Sequence, residues 1–269
     1  MLKDITLGQY FPGSSLAHRL DPRTKLMLTV LYIVILFCAT SFVSYGLVAA
    51  LLAVGVKVSG VAPKALVRGL KPILFIICFT AVLNLFYTPG DELASFWIFT
   101  ITRQGVATAF FMVLRITMLI MGTFLLTYTT SPIALTDGLE SLLGPLKKLR
   151  VPVHELAMIM SIALRFIPIL MEETDKIMKA QIARGADFES GNILKRARAM
   201  VPLLVPLFIS AFRRANDLAM AMEARCYRGG EGRTKMKPLI YRRRDRMGYL
   251  FLAVYLAVSI SVGRLDVFW

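Results

Sequence analysis

The chain predicts an all-α integral membrane protein with about five transmembrane helices, six to seven if two further apolar half-helices are counted, and a cytoplasmic-side domain of three helices. Three observations lead there. Of the 269 residues, 57% are apolar and the mean hydropathy is +0.64, which makes a bilayer the natural solvent. Leu26 to Val56 contains no charged residue. The lysines and arginines, which give a net charge of +15, gather at the edges of the apolar runs.

As one helix, Leu26 to Val56 would be roughly 46 Å long at 1.5 Å per residue, well beyond a hydrocarbon core of about 30 Å. Two short or tilted spans fit better, with the turn near Thr40 to Gly46, where Ser41, Ser44 and Gly46 dilute the run. Between Val61 and Lys71, apolar residues interleave with Lys64, Arg68 and Lys71 behind Pro63. That pattern suits an interfacial helix or a membrane-anchored linker. Ile73 to Thr88 reads as the third span, ended by Pro89-Gly90. Gly105 to Thr130 is the fourth, interrupted by Arg115, which is expected to snorkel or pair within the bundle. A last span runs from about Met247 to Val262.

Charge sets the orientation, because Lys and Arg accumulate on the cytoplasmic side. Lys3, Arg19, Arg23 and Lys25 precede the first span, and Lys57, Lys64, Arg68 and Lys71 separate the second from the third. Both segments belong inside. The segment with Asp91, Glu92 and Arg103 belongs outside, as does the end of the chain with Arg264 and Asp266. The expected product is a multi-pass protein of the cell membrane with a cytoplasmic N-terminus and an external C-terminus. Its parts are residues 1–130 with the first four spans, 131–245 as the cytoplasmic-side domain, and 246–269 as the last span.

Residues 131–246 hold 21 of the 32 basic residues against 12 acids. An amphipathic piece, Pro132 to Leu149, comes first and ends in Lys147, Lys148 and Arg150. Val153 to Met171 and Met200 to Phe212 then read as apolar halves of two long helices, each continuing without a turn signal into a charged half. Pro168, Pro202 and Pro206 are expected to bend them. They would lie along or beneath the inner leaflet and cross through apolar faces, or else both apolar halves are true spans. The charged halves end in Ala183-Arg184-Gly185 and Ala224-Arg225-Cys226, 41 residues apart, and Glu173–Ala183 aligns without a gap on Arg214–Ala224. Spacing alone leaves two accounts: arginines that complement the helix dipole before the stop signals Gly185 and Gly229, or a pair of docking tips.

Other chemistries are poorly served. The basic residues carry no aromatic-interleaved platform for nucleic acid, and attraction to anionic lipid explains them. His18 and His154 lack metal-ligand spacing. No Gly-rich loop ends in Lys-Ser or Lys-Thr, so the chain does not read as an ATPase. Cys38, Cys78 and Cys226 suggest no disulfide framework.

The string Gly8-Gln9-Tyr10-Phe11-Pro12-Gly13, followed by His18-Arg19-Leu20-Asp21-Pro22-Arg23-Thr24-Lys25, resembles the start of the transmembrane coupling subunits of energy-coupling factor (ECF) importers. Ala183-Arg184-Gly185 and Ala221-Met222-Glu223-Ala224-Arg225-Cys226-Tyr227-Arg228-Gly229 resemble that family's two coupling-helix signatures. Order and spacing match over nearly the whole chain. One departure is Cys226, where the family usually has glycine. The resemblance implies a non-catalytic scaffold that binds no cofactor itself and works with two ABC-type ATPases, identical or related, which use ATP and Mg. A separate small membrane subunit captures a vitamin or other micronutrient. It also implies that Ala183, Arg184 and Gly185, with Ala224, Arg225 and Cys226, dock the ATPases. The alternative is a self-sufficient secondary transporter or channel, for which one would expect several ionisable groups at the membrane centre and an inverted repeat. Arg115 alone, and no convincing repeat of the first four spans, speak for the scaffold.

Overall fold

A computed structural model describes residues 10–39, 41–96, 99–188, 192–230, 236 and 238–265. Lys3, Gly8, Gln9, Thr40 and Asp266, all used above, lie outside the described residues. The chain is an all-α membrane protein, divided into one compact unit of Gly8–Ser141 with Leu239–Trp269 and another of Leu142–Pro238.

In the first unit, α1 (Pro22–Cys38) starts on an Asp-Pro step. The Asp21 carboxylate accepts the Arg23 N–H as N-cap, and Pro22 takes the first helical position, where a missing N–H costs nothing. Ser41 caps α2 (Phe42–Ser59) in the same way, so the reversal falls at the edge of the expected turn. The short α3 (Pro63–Leu70) is the amphipathic stretch expected before the third span, and a single 3-10 turn joins it to α4 (Leu74–Tyr87). An antiparallel ribbon follows, β1 (Glu92–Phe96) with β2 (Phe99–Thr102), pairing Phe96 with Phe99 and Glu92 with Thr102. The 27-residue α5 (Arg103–Thr129), α6 (Pro132–Leu142) and α9 (Arg243–Leu265) complete the unit.

Among the described residues, four helical stretches are long and apolar enough to cross a membrane: Phe42–Ser59, Pro63–Tyr87, Arg103–Thr129 and Val153–Ala183. The 17-residue α1 sits at the short end of the range that spans a bilayer. Apolar side chains point outward in numbers a soluble protein would not tolerate, with Phe75 77% and Tyr87 80% exposed on α4. Inside, Ile35, Leu36, Tyr45, Val48, Met118 and Leu252 bring α1, α2, α5 and α9 onto one core, and the Tyr32 hydroxyl donates to the Met118 carbonyl at 2.9 Å. Arg115 pairs within the bundle. Its Nε donates to the Tyr45 hydroxyl at 2.8 Å and its Nη2 to the Ala39 carbonyl at 3.2 Å, satisfying an acceptor that the end of α1 leaves open.

The second unit contains α7 (Val153–Ala183) and α8 (Ile193–Ala224), of 31 and 32 residues. Both run as helix through their prolines. The start of α8 lies before the expected Met200 because Lys, Arg and Ala, which fill residues 195–199, are good helix formers.

Candidate partner-docking site

The two helices of the second unit touch through polar groups. Glu173 on α7 accepts from the Ser210 hydroxyl at 2.6 Å and from Arg214 Nη2 at 3.0 Å on α8. Eight residues further along α7, Gln181 Nε2 donates to the Pro202 carbonyl at 3.4 Å. That carbonyl is the one Pro206, lacking an N–H, cannot satisfy within the helix. Partners shift backwards along α8 as they advance along α7, so the two helices are antiparallel where they meet. Hydrogen bonds and an ion pair thus set the register of the pair; Leu203 of α8 is buried, while Leu204, Val205, Phe208, Ile209 and Phe212 stay exposed on one face.

Glu173 and Arg214 are also equivalent positions of the 41-residue repeat. Contact between equivalent positions is the mark of a local two-fold relation, in which each copy presents the same patch to the other. The signal was present in the sequence as opposite charges at the first aligned pair. Each terminal arginine lies 11 residues beyond this contact, in opposite directions. At 1.5 Å per residue that is roughly 16 Å of helix on each side, placing the two tips on the order of 30 Å apart.

The tips themselves are built alike. Ala183 is the last residue of α7, Arg184 its C-cap, and Gly185 follows with φ +87°. The Gly185 N–H donates to the Ile182 carbonyl at 2.9 Å and the Ala186 N–H to the Gln181 carbonyl at 2.9 Å, the paired bonds of a Schellman motif. Ala224 is the last residue of α8, and Cys226 takes the glycine's place with φ +56°. Its N–H donates to the Glu223 carbonyl at 2.8 Å, and the Tyr227 N–H donates to the Met222 carbonyl at 3.0 Å. Arg184 and Arg225 thus occupy the same position of the same motif, both exposed. This corrects the reading of Gly229 as the second stop: it has φ +92° but lies beyond the cap, and the helix ends at Ala224.

Such a tip offers a guanidinium at the negative end of a helix dipole, with exposed Ala183 or Ala224 beside it. The planar fork of donors suits a partner's carboxylates or helix-terminal carbonyls. The six residues thus form two separate tips at remote ends of a helix pair.

Comparison with known proteins agrees with the reading of a membrane protein. The CbiQ family, described as cobalt transport protein, matches residues 13–236. The chain is 57% identical over 263 residues to the energy-coupling factor transporter transmembrane protein EcfT of Thermosediminibacter oceani, covering 97% of each. It is 56% identical over 262 residues to EcfT of Clostridium kluyveri, again covering 97% of each. With EcfT of Bacillus subtilis the identity is 50% over 259 residues, 96% of this chain and 98% of that one. The chain belongs to the CbiQ family, as a transmembrane component of an energy-coupling factor transporter.

Proposed function

We propose that this chain is the scaffold through which two ABC-type ATPases drive a separate, substrate-capturing membrane subunit that imports a vitamin or other micronutrient. Arg184 and Arg225 each anchor one ATPase, helped by the close approach that Ala183 and Ala224 allow and by the turns at Gly185 and Cys226. Residues 131–245 act as the coupling domain between the spans of 1–130 and the last span in 246–269. The chain hydrolyses nothing and binds no cofactor, and ATP and Mg belong to the partners. Its N-terminus and coupling helices face the cytoplasm and its C-terminus the outside.

The observation that carries this reading is the pair of identical C-terminal motifs related by the Glu173–Arg214 contact. A scaffold with one tip could hold one ATPase. Two tips about a local two-fold suit a pair of ATPases that close on each other when they bind nucleotide. Closure would move the tips relative to one another, and the exposed apolar face of α8 would pass that motion to lipid or to the substrate-capturing subunit.

The test is purification of the tagged chain in mild detergent. The unaltered chain should carry ATPase subunits and a small membrane protein in fixed ratio. Arg184→Glu and Arg225→Glu should each lose most of one ATPase copy, at least tenfold. A chain that elutes alone and takes up substrate alone would instead mark a self-sufficient transporter.

A further inference from the structure

We propose that Arg23 is a positioning residue that couples motion of the Leu142–Pro238 unit to the membrane helices, an inference that rests on the scaffold reading above. The Asp-Pro-Arg-Thr-Lys string was singled out in the sequence, yet docking makes no use of it. In the structure it is the meeting point of four helices.

Arg23 Nε and Nη2 each donate to one oxygen of the Asp21 carboxylate, both at 3.1 Å. Its Nη1 donates to the Ser141 hydroxyl at 3.3 Å, and its guanidinium lies 3.9 Å from the centre of the Tyr241 ring. Ser141 is the last residue before the chain leaves the membrane unit, and Tyr241 comes two residues after Leu239, where it returns. One side chain therefore grips both ends of the passage into the other unit.

The grip continues into the bundle. The Asp21 N–H donates at 2.9 Å to Asp245, which is 1% exposed and also accepts the Arg242 N–H at 2.8 Å, so the start of α1 is fixed to the start of α9. Lys25 Nζ donates to the Thr129 carbonyl at 2.8 Å, fixing α1 to the end of α5. Helix α6 rests on the same point: a Cβ at Gly138 would come within 3.0 Å of Pro22 Cβ. A pull arriving at Ser141 or Leu239 is handed by Arg23 to α1, and from there to α5 and α9. The cap that starts α1 uses the Arg23 backbone N–H, so replacing the side chain leaves the helix start in place.

The experiment compares full complexes, purified with their ATPases from the native host and placed in proteoliposomes, carrying Arg23→Gln, Tyr241→Leu or Tyr241→Phe. ATP hydrolysis and uptake of a mixture of radiolabelled water-soluble vitamins are measured together. Arg23→Gln and Tyr241→Leu should keep their ATPases and hydrolyse ATP within about twofold of the unaltered complex, while uptake per ATP falls tenfold or more. Tyr241→Phe, which keeps the ring beneath the guanidinium, should restore the ratio. If Arg23→Gln yields no complex, Tyr241→Leu decides. An unchanged ratio in these variants, or hydrolysis and uptake falling in parallel as they would for less folded protein, overturns the proposal. Loss of ATPases from the unaltered chain would overturn the scaffold reading itself.

Discussion

Cys226 holds a backbone conformation, φ +56°, that L-residues adopt at a cost of roughly 1–2 kcal/mol. Its counterpart Gly185 adopts φ +87° without that cost. The second tip is thus the weaker cap, and the difference is measurable. Gly185→Val should weaken the end of α7 by about 1–2 kcal/mol, seen as roughly 5–30-fold faster hydrogen exchange at the amides of residues 182–186. Cys226→Gly should slow exchange at the end of α8. The exposed Cys226 thiol also reports on docking. A charged, membrane-impermeant maleimide should label it in the free chain, and ATPase subunits should protect it; equal labelling with and without them would place the second docking surface elsewhere. At this scale the sequence was informative about which residues form the tips but not about their geometry. A glycine three residues too late, Gly229, drew attention from a cysteine that performs the turn.

At the scale of elements, apolar run length gave the helices of the membrane unit, because a bilayer admits only segments of about 20 apolar residues with their backbone bonds satisfied internally. Pro89-Gly90 and Ser41 marked real boundaries, while the Asp21-Pro22 step, which starts α1, was not read as one. The β1–β2 ribbon escaped notice, although Phe96, Phe99, Thr100, Ile101 and Thr102 are residues that suit strands, because its strands are too short to show a period. That α7 and α8 meet was expected, but the register of their contact was not legible: helical pattern says which residues share a face, and nothing about which residues of the other helix that face meets. The Glu173–Arg214 pair is 24% and 41% exposed at its side chains, so it aligns the helices more than it stabilises them. A double-mutant cycle of Glu173→Gln and Arg214→Gln should give a coupling of about 0.2–1 kcal/mol, and the exchanged pair Glu173→Arg with Arg214→Glu should recover uptake that either single change reduces. An exchanged pair no better than the singles would argue against the contact.

For the whole molecule, two separate demands are visible. The unit of Gly8–Ser141 and Leu239–Trp269 exposes apolar side chains to lipid and ties its helices together with buried and partly buried polar bonds, such as Tyr32 to Met118 and Arg115 to Ala39. The unit of Leu142–Pro238 also exposes apolar side chains, Phe208 and Phe212 among them, and adds two helix ends that carry exposed arginines. Composition and charge placement were enough to read a membrane protein with a basic region at residues 131–246, and the repeat was enough to suspect two equivalent contacts. How the tips are spaced and that they oppose one another required the fold. The central claim is that two arginines hold two ATPases, and native mass spectrometry of the purified complex tests it most directly. The account predicts two ATPase copies per chain in the unaltered complex, one after Arg184→Glu or Arg225→Glu, and none after both changes. Two copies retained by the double variant would contradict it.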